Sequence, residues 1–564
     1  MSGYRYPADE VQFCLEHIAG IQKLAPHFPN YDSDLLDPIL SEAAKFAEQR
    51  VAPSNRLGDT DWPVISDKSV NETKGFKEVY DALCEGAWTT LSAPEEYGGQ
   101  ALPRALEVAV NEGIQSANLA FSLCPLLTQG AIDAIETHAE ESLKNTYLPN
   151  MISGRWTGTM NLTEPSAGSD LSAIKTKAVP DGDAYRIFGQ KIFITWGDHQ
   201  MSDNIIHLVL ARLPGAPEGV RGISLFLVPK FLLDEQGEPN VRNDVYPISL
   251  EHKLGIHGSP TCVMQFGETD GALGYLVGQE NKGLMAMFTM MNNARQSVGL
   301  QGLAVAERAY QMALNYAFDR TQGAIKGSSE RVVIAKHGDV SRMLWQMASS
   351  LSAMRALMYV ASVESDLKNI DQKHQQRTDL YTPIVKGWMT ELAQEVVSTA
   401  VQVHGGMGYI EETGVAQLLR DARILPIYEG TNGIQALDLV GRKLAADNGD
   451  GFKLLIAEMS EDSEAFNVDQ ALFLKYVQEL SDASDSLLKG ESVAENAAYD
   501  FMMMTGYVVG AWLMLKGCQS SVAKNDWQTK TRFYLDHLLP RAMAHYEGIK
   551  SFGKNDIYDA ELLK

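Results

Sequence analysis

The chain has 564 residues, of which 45% are hydrophobic and 21% charged, a balance typical of soluble globular proteins rather than disordered ones. This length exceeds one ordinary hydrophobic core, so three or four domains are expected. The formal net charge of -24 disfavours a main role in binding nucleic acid or an anionic membrane surface.

The cysteines and the apolar runs indicate a cytoplasmic protein without stable membrane insertion. Five cysteines are present, an odd number with no CxxC pair, and no basic-plus-apolar signal precedes them, so we expect reduced thiols. The most apolar run, 501–515, is shorter than the roughly 20 residues of a transmembrane helix, which favours a buried helix. His252 and His257 lack ligand spacing, and we expect no metal site.

The spacing of apolar residues predicts helices in the first part of the chain. Residues 1–40 form an N-terminal extension with one helical pattern, and residues 41–157 form an N-terminal helical domain. Within that domain, apolar spacing predicts helices over 103–118 and 125–137.

The periodicity changes in residues 158–280, which we predict to be a small central β-barrel domain. Short apolar runs separated by turns predict strands at 185–189, 191–195, 205–213, 222–228 and 261–266.

From residue 281 the chain is helical again, which makes the whole protein α+β. Residues 281–446 are predicted to form a C-terminal helical domain, with helices over 284–318, 331–369, 376–403 and 411–422. Asp447 to Gly451 reads as a linker, and residues 452–564 are predicted to form an extra C-terminal helical domain.

One carboxylate in the C-terminal helical domain is a candidate general base. Glu429 lies in the apolar-aromatic loop between Pro426, which ends a helix-compatible run, and a helix start near Thr431 or Asn432. Desolvation in such a loop raises the pKa of a carboxyl group towards that of a working base. The alternative is an ordinary acidic residue at a helix N-terminus.

Four further segments could hold a cofactor, although each also has a plain structural explanation. They are the Thr-Glu-Pro loop at 160–170, the Phe-Ile-Thr run at 193–195, the helix end at 316–323 and the glycine-rich turn at 402–408. Neither a Walker A motif nor a Gly-x-Gly-x-x-Gly after a strand is present, so a Rossmann site is not supported.

These segments, with Arg-Asp-Ala-Arg and Tyr-Glu-Gly-Thr around Glu429, resemble the acyl-CoA dehydrogenase family in the same order from about residue 40 to residue 444. The sequences of these segments are most similar to those of the long bacterial branch that includes 3-methylmercaptopropionyl-CoA dehydrogenase. The resemblance implies a helical domain, a β-barrel and a four-helix-bundle domain around FAD. It also implies fatty acid metabolism, or dimethylsulfoniopropionate degradation, and favours a short, sulfur-containing acyl group, with a longer acyl chain as the alternative.

The resemblance assigns flavin contacts residue by residue. Thr163 would reach the pyrimidine edge of the flavin, Phe193 its face and Thr195 its N5 edge, while Met160 stands where the family often has an aromatic residue. Arg320 and Gln322 would contact the FAD of the neighbouring subunit, which implies a homodimer, with a tetramer as the alternative. The remaining assigned cofactor-binding residues are Leu162, Gly168, Ser169, Gln402, Gly405, Gly406, Thr431 and Gly433.

The resemblance also implies the reaction. Glu429 would remove the α-proton of an acyl-CoA while its own backbone N–H and a flavin ribityl hydroxyl hold the thioester carbonyl. The β-hydrogen would pass as hydride to flavin N5, giving a trans-2-enoyl-CoA, and electrons would go on to electron transfer flavoprotein. One branch carries its base where this chain has Ala294, which agrees with Glu429 as the base. The implied substrate-binding residues are Ser169, Asn292, Arg295, Tyr428, Gly430 and Arg442.

Two other functions occur on the same scaffold. An acyl-CoA oxidase would pass electrons to oxygen, and no motif separates it from a dehydrogenase. An alkylation-response flavoprotein would bind DNA, but acidic residues outnumber basic ones from Leu444 to Lys564.

Overall fold

The computed structural model describes residues 3–327, 329–466, 469–552 and 560–564. The chain forms two compact units. The contiguous unit is Lys45–Ala294, and the discontinuous unit combines Met1–Ala44 with Arg295–Lys564. As predicted, helices dominate both ends of the chain and strands dominate the middle, so the fold is mixed α and β and mostly helical.

Helices form the first part of the contiguous unit. The α-helices between residues 55 and 152 are Asn55–Thr60, Phe76–Glu85, Arg104–Ala117, Leu119–His138 and Glu141–Ile152. The helix predicted over 125–137 therefore starts six residues earlier, at Leu119. The side chain of Asn118 caps it by accepting a hydrogen bond of 3.1 Å from the Phe121 N–H, and Pro125 lies inside the helix rather than at its start.

An eight-stranded sheet forms the second part of the contiguous unit. In chain order its strands are Trp156–Asn161, Lys177–Asp181, Ala184–Thr195, Asn204–Arg212, Ile223–Pro229, Val245–Leu250, Thr261–Phe266 and Ala272–Val277. The two strands predicted at 185–189 and 191–195 are one continuous strand. Two further short strand pairs lie in this unit: Val64–Ser66 with Ser69–Asn71, and Phe231–Leu233 with Pro239–Arg242.

Two neighbouring strands of the sheet are buried on both faces. Every residue of Ile223–Pro229 is buried, and so is every residue of Asn204–Arg212 except the last. Burial on both faces explains why these strands read as continuous apolar runs rather than alternating ones. Asn204–Arg212 pairs in parallel with Trp156–Asn161 and antiparallel with Ile223–Pro229.

The discontinuous unit is built from helices. Its α-helices include Ala8–Phe13, Gly338–Leu367, Gln372–His404, Val415–Ala422, Asn432–Asp438, Asp450–Asp462, Gln470–Leu488, Ala494–Cys518, Asn525–Phe533 and Arg541–Ser551, with most of Leu36–Phe46 and of Gly283–Asp319. The helix predicted over 331–369 starts only at Gly338. Arg331–Val333 is instead a strand that pairs with Thr321–Ala324, in keeping with its two adjacent valines.

The predicted extra helices at the C-terminus pack within the discontinuous unit. Among the described residues, Ala494–Cys518 is the one helix long and apolar enough to cross a membrane, and 89% of its most apolar window is buried. The Trp388 and Tyr507 rings meet edge to face with centroids 5.9 Å apart, which joins this helix to Gln372–His404. The prediction of a buried helix is confirmed. The five cysteines are all free.

The N-terminal segment belongs to the same unit. The Glu10 carboxylate accepts hydrogen bonds from Arg355 Nη1 at 2.7 Å and from Lys530 Nζ at 2.6 Å. These two ion pairs lower the pKa of Glu10 to about 2, although its burial opposes the shift. The first residues of the chain are thereby tied to one of its last helices.

Candidate active site

The loop that carries Glu429 is closed by its own hydrogen bonds. It leaves the helix Val415–Ala422, and the next helix starts at Asn432 with Thr431 as its N-cap, as predicted. The Thr431 Oγ1 accepts from the Ile434 N–H at 3.3 Å, and the Asn432 N–H donates to the Pro426 carbonyl at 3.0 Å. The loop between Pro426 and Asn432 is therefore a closed turn, and its conformation is set by the helix that follows.

Glu429 has a left-handed backbone conformation, with φ of 55°, and is followed by Gly430 with φ of 82°. For a residue other than glycine this conformation costs roughly 1–2 kcal/mol and must be held by the surroundings. Gln435 supplies part of that support, because its Nε2 donates to the Glu429 carbonyl at 3.2 Å and to the Gly430 carbonyl at 3.4 Å. These hydrogen bonds to main-chain carbonyls help to hold Glu429 in its left-handed conformation.

The electrostatic surroundings of Glu429 suit a general base. Burial raises the pKa of its carboxyl group to about 7, against the opposing effect of the Arg295 and Lys386 charges. Burial likewise lowers the pKa of the Lys386 ammonium to about 7, although Glu429 and Glu391 favour its charged form. A carboxylate that titrates near neutrality can accept a proton and release it again.

Lys386 and Asn432 form a buried network beside the loop that sequence reasoning missed. Lys386 Nζ donates to Asn432 Oδ1 at 2.8 Å, and the Asn432 amide donates to Glu391 Oε1 at 2.8 Å and to Thr390 Oγ1 at 3.0 Å. Lys386 is fully buried in the apolar stretch that runs from Tyr381 to Trp388. A lone cation within such a stretch was the signal available in the sequence.

Tyr428, the residue before the base candidate, is anchored to the long helix Gly283–Asp319. Its hydroxyl donates a hydrogen bond to Gln301 Oε1. Burial raises the pKa of the Tyr428 phenol far above its ordinary value, so the phenol keeps its proton. Gln301 is fully buried, and among the described residues its Nε2 has no hydrogen-bond partner.

Two arginines predicted to bind substrate share one carboxylate. Arg295 Nη1 lies 3.4 Å from Asp438 Oδ2, and Arg442 Nε lies 2.5 Å from Asp438 Oδ1. Burial lowers the pKa of Arg295, while Asp438 opposes that shift. Ala294, next to Arg295, is buried and has no group that could act as a base, and Asn292 is exposed on the same helix.

In the contiguous unit, a buried ion pair anchors the Thr-Glu-Pro loop to the strand that carries Phe193. Lys191 Nζ donates to Glu164 Oε1 at 2.8 Å and to the Leu162 carbonyl at 2.9 Å. The Ile192 N–H donates to the Thr163 carbonyl at 2.9 Å. The structure therefore brings the first two predicted flavin segments together, through a pair that the sequence analysis did not single out.

The side chains on these two segments fit a flat ring with polar edges. Phe193 is held at φ of 58° with 58% of its side chain exposed, although it is a large apolar residue. Thr163, Thr195 and Met160 are half-buried, and Ser169 and Gly168 are exposed with open space around the glycine. An uncovered aromatic ring flanked by threonine hydroxyls can receive an isoalloxazine ring.

The last two predicted flavin segments also lie together, within the discontinuous unit. The rings of Tyr316 and His404 stack with centroids 4.5 Å apart, which brings the end of the long helix close to the turn that starts at Gly405. Gly405 has φ of 60°, where a side chain would be strained. Seven predicted FAD-binding residues of this unit are exposed: Arg320, Gln322, Gln402, Gly405, Gly406, Thr431 and Gly433.

The described part of the chain contains no group of three or more His, Cys, Asp or Glu residues that could hold a metal ion. His252 and His257, the two histidines considered above, instead line a cavity of about 380 Å³ in the contiguous unit together with Trp62 and Lys253. His257 Nδ1 lies 3.0 Å from Asp59 Oδ1.

Comparison with known proteins gives matches along nearly the whole chain. Residues 36–155, 159–269 and 281–444 match the N-terminal, middle and C-terminal domains of acyl-CoA dehydrogenases. Residues 455–559 match the family described as acetyl-CoA dehydrogenase C-terminal like.

Curated and solved relatives agree with these matches. The 3-methylmercaptopropionyl-CoA dehydrogenase of Ruegeria pomeroyi is 44% identical over 90% of this chain and 90% of its own. The broad-specificity linear acyl-CoA dehydrogenase of Mycobacterium tuberculosis is 35% identical over 93% of this chain and 92% of its own. The fold is that of the Bacillus anthracis acyl-CoA dehydrogenase complexed with FAD, with a TM-score of 0.73, 20% identity and coverage of 94% of this chain and 90% of that one.

Family membership fixes the class of enzyme and its cofactor. Acyl-CoA dehydrogenases are FAD-dependent oxidoreductases that act on CH–CH groups, bind acyl-CoA and oligomerise. The three domain matches and the 44% identity to a full-length relative show that this chain belongs to the acyl-CoA dehydrogenase family.

Proposed function

We propose that the protein dehydrogenates a short acyl-CoA thioester to the trans-2-enoyl-CoA, with Glu429 as the base that removes the α-proton. The observation that carries this proposal is the half-buried Glu429 carboxyl, whose pKa is raised to about 7 on a loop with left-handed backbone. A group that titrates near neutrality is ionised often enough to accept a proton and basic enough to drive its removal.

The loop backbone supplies the second requirement of the reaction. The α-hydrogen of a thioester is too weak an acid for a carboxylate alone, so the developing enolate oxygen must be stabilised. In the proposal the N–H of Glu429 itself donates to that oxygen. Gln435 supports this role because its hydrogen bond to the Glu429 carbonyl steadies the main chain of the loop that carries this N–H. When bound, FAD supplies the acceptor for the β-hydride.

Several residues hold the cofactor in this proposal. Thr163, Thr195 and Phe193 contact the flavin ring, and Ser169 lies by the phosphates and the substrate. Arg320 and Gln322 contact the FAD of the neighbouring subunit, so the active form is a homodimer. The other proposed FAD contacts are Met160, Leu162, Gly168, Gln402, Gly405, Gly406, Thr431 and Gly433.

The CoA thioester is proposed to contact Arg295, Tyr428, Gly430 and Arg442, with Asn292 where the family has an aspartate. Arg295 and Arg442 are supported by their shared contact with Asp438, which holds both guanidinium groups near the helix that starts after the Glu429 loop. The acyl group is proposed to be 3-methylmercaptopropionyl, in line with the name of the relative from Ruegeria pomeroyi.

The test is anaerobic bleaching of the bound flavin by a panel of acyl-CoA thioesters, with electron transfer flavoprotein added as the proposed acceptor. We expect bleaching by short thioesters and turnover only with the acceptor protein. Hydrogen peroxide at a comparable rate in air would identify an oxidase instead. If no thioester in the panel bleaches the flavin, the proposed function is wrong.

The oligomer needs a separate measurement. The helices beyond residue 452 are proposed to cover the surface by which shorter relatives form tetramers. The protein is therefore proposed to be a homodimer in the cytoplasm, and light scattering should give the mass of a dimer. A tetramer would contradict this proposal without affecting the proposed chemistry.

A further inference from the structure

In the hydrogen-bonded pair of Tyr428 and Gln301, next to the proposed base, the Gln301 Nε2 donor has no acceptor among the described residues. The Tyr428 hydroxyl donates to Gln301 Oε1, and Gln301 is fully buried with its Nε2 lacking a partner among the described residues. A buried donor without an acceptor costs roughly 1–3 kcal/mol, so buried donors of this kind call for a specific explanation. A bound ligand that supplies the missing acceptor is one such explanation.

The position of the pair suggests which part of a ligand it meets. Tyr428 precedes Glu429 directly, and it is half-buried, so the pair extends from the accessible loop into the interior. The thioester carbonyl is assigned to the Glu429 N–H in the proposed function. Gln301 lies beyond the far end of the Tyr428 side chain, a full tyrosine away from that backbone. An acceptor that reaches Gln301 therefore belongs to the acyl chain, not to the carbonyl group.

We propose that Gln301 is a specificity-determining residue that donates from Nε2 to an acceptor heteroatom on a short acyl chain, such as a thioether sulfur. This inference rests on the proposed function and adds to it a residue that selects the acyl group. A plain hydrocarbon chain would leave the Nε2 donor buried and unsatisfied. A thioether sulfur is a weak acceptor, and it can replace a methylene without lengthening the chain.

Two thioesters test the contact directly. The acyl groups 3-methylmercaptopropionyl and pentanoyl have the same number of chain atoms and differ by sulfur in place of one methylene. The measured quantity is the ratio of kcat/KM for the two thioesters in the wild type and in Gln301→Met, which keeps the unbranched shape but has no donor. Comparing the two ratios cancels the intrinsic difference in reactivity between the substrates.

We expect Gln301→Met to lower the preference for the thioether by roughly 2- to 10-fold, the range of one hydrogen bond. Gln435→Met is the matched control, because Gln435 is also a fully buried glutamine near Glu429 but bonds the loop carbonyls. It should slow both substrates by the same factor. If Gln301→Met folds poorly, Gln301→Leu serves instead, with folding checked by the thermal midpoint.

A second readout does not depend on turnover. In Glu429→Gln, which should bind thioesters without oxidising them, the affinities for the two acyl groups are measured with and without Gln301→Met. The thioether should lose affinity selectively. An unchanged ratio in both assays would overturn the role of Gln301. Failure of every thioester to bleach the wild-type flavin would instead contradict the proposed function.

Discussion

Nζ of Lys386 donates a hydrogen bond of 2.8 Å to Oδ1 of Asn432, the first residue of the helix that follows the Glu429 loop. The Asn432 N–H in turn closes that loop on the Pro426 carbonyl. A buried cation therefore does two things for Glu429: it supports the turn on which the carboxylate stands, and its charge opposes the rise in the pKa of that carboxylate.

Replacing Lys386 should change the pH dependence of the reaction. Glu429 acts as a carboxylate, so the rate of flavin reduction rises with pH through its pKa of about 7. Lys386 lowers that pKa. Lys386→Met should therefore move the rising limb of the pH–rate profile to higher pH by about one unit. Thr390→Val removes an uncharged contact to the same Asn432 and should leave the limb in place. An unshifted limb in Lys386→Met would show that the cation has only a structural role.

Glu429→Gln should keep bound FAD and still bind thioesters but lose flavin reduction. The amide has the same volume as the carboxylic acid and cannot take the α-proton. Stopped-flow bleaching should slow by roughly 100- to 10,000-fold or more. Bleaching at a near-normal rate would place the base elsewhere.

Arg320→Ala should weaken FAD retention and dimerisation together. Arg320 is exposed, and in the proposal its guanidinium contacts the cofactor of the neighbouring subunit. The flavin-to-protein absorbance ratio and the sedimentation mass are measured on the same sample. Arg342→Ala is the control, because Arg342 is an exposed arginine that pairs with Asp339 on its own helix. A fully yellow dimer for Arg320→Ala would contradict the cross-subunit assignment.

Gly506→Ala should destabilise the discontinuous unit. A Cβ at this position would lie 2.2 Å from Cγ of Trp388, so the packing of Ala494–Cys518 against Gln372–His404 would have to open. We expect a loss of roughly 1–3 kcal/mol in the free energy of unfolding, seen as a lower thermal midpoint. Gly441→Ala has open space around its Cβ and should be neutral or slightly stabilising. Equal midpoints for the two variants would refute the packing argument.

Periodicity and turn chemistry predicted the long helices of the C-terminal half and four of the eight strands in the main sheet. The start of the helix after Glu429 was readable from Thr431 and Asn432, because both side chains satisfy a free N–H. The strand Trp156–Asn161 was not predicted. Its polar residues, among them Thr157 and Asn161, are buried, since their side chains bond to other buried groups such as His199 and Thr159. A search for apolar periodicity does not detect a strand whose buried residues are polar.

The residues of the candidate site likewise fall into those that the sequence predicts and those that it does not. Glu429 could be found from its loop, and the flavin segments from their resemblance to a family. Gln301 could not, and for Lys386 the sequence offers only a lone cation in an apolar stretch, because each residue lies in the middle of a long helix and meets the Glu429 loop only through tertiary packing. Their partners, Asn432 and Tyr428, are 46 and 127 residues away in the sequence. No local pattern encodes a contact over such a separation.

The ion pairs of Glu10 with Arg355 and Lys530 have a consequence for biosynthesis. The contiguous unit is fully available for folding soon after Ala294 leaves the ribosome, but Lys530 is made only after that whole unit. Until then, the buried side chains of the N-terminal segment, such as Val11, Leu15 and Ile18, cannot complete their native contacts. This segment is thus synthesised before the contiguous unit but reaches its final environment only after it, and its apolar side chains stay available for non-native contacts in between.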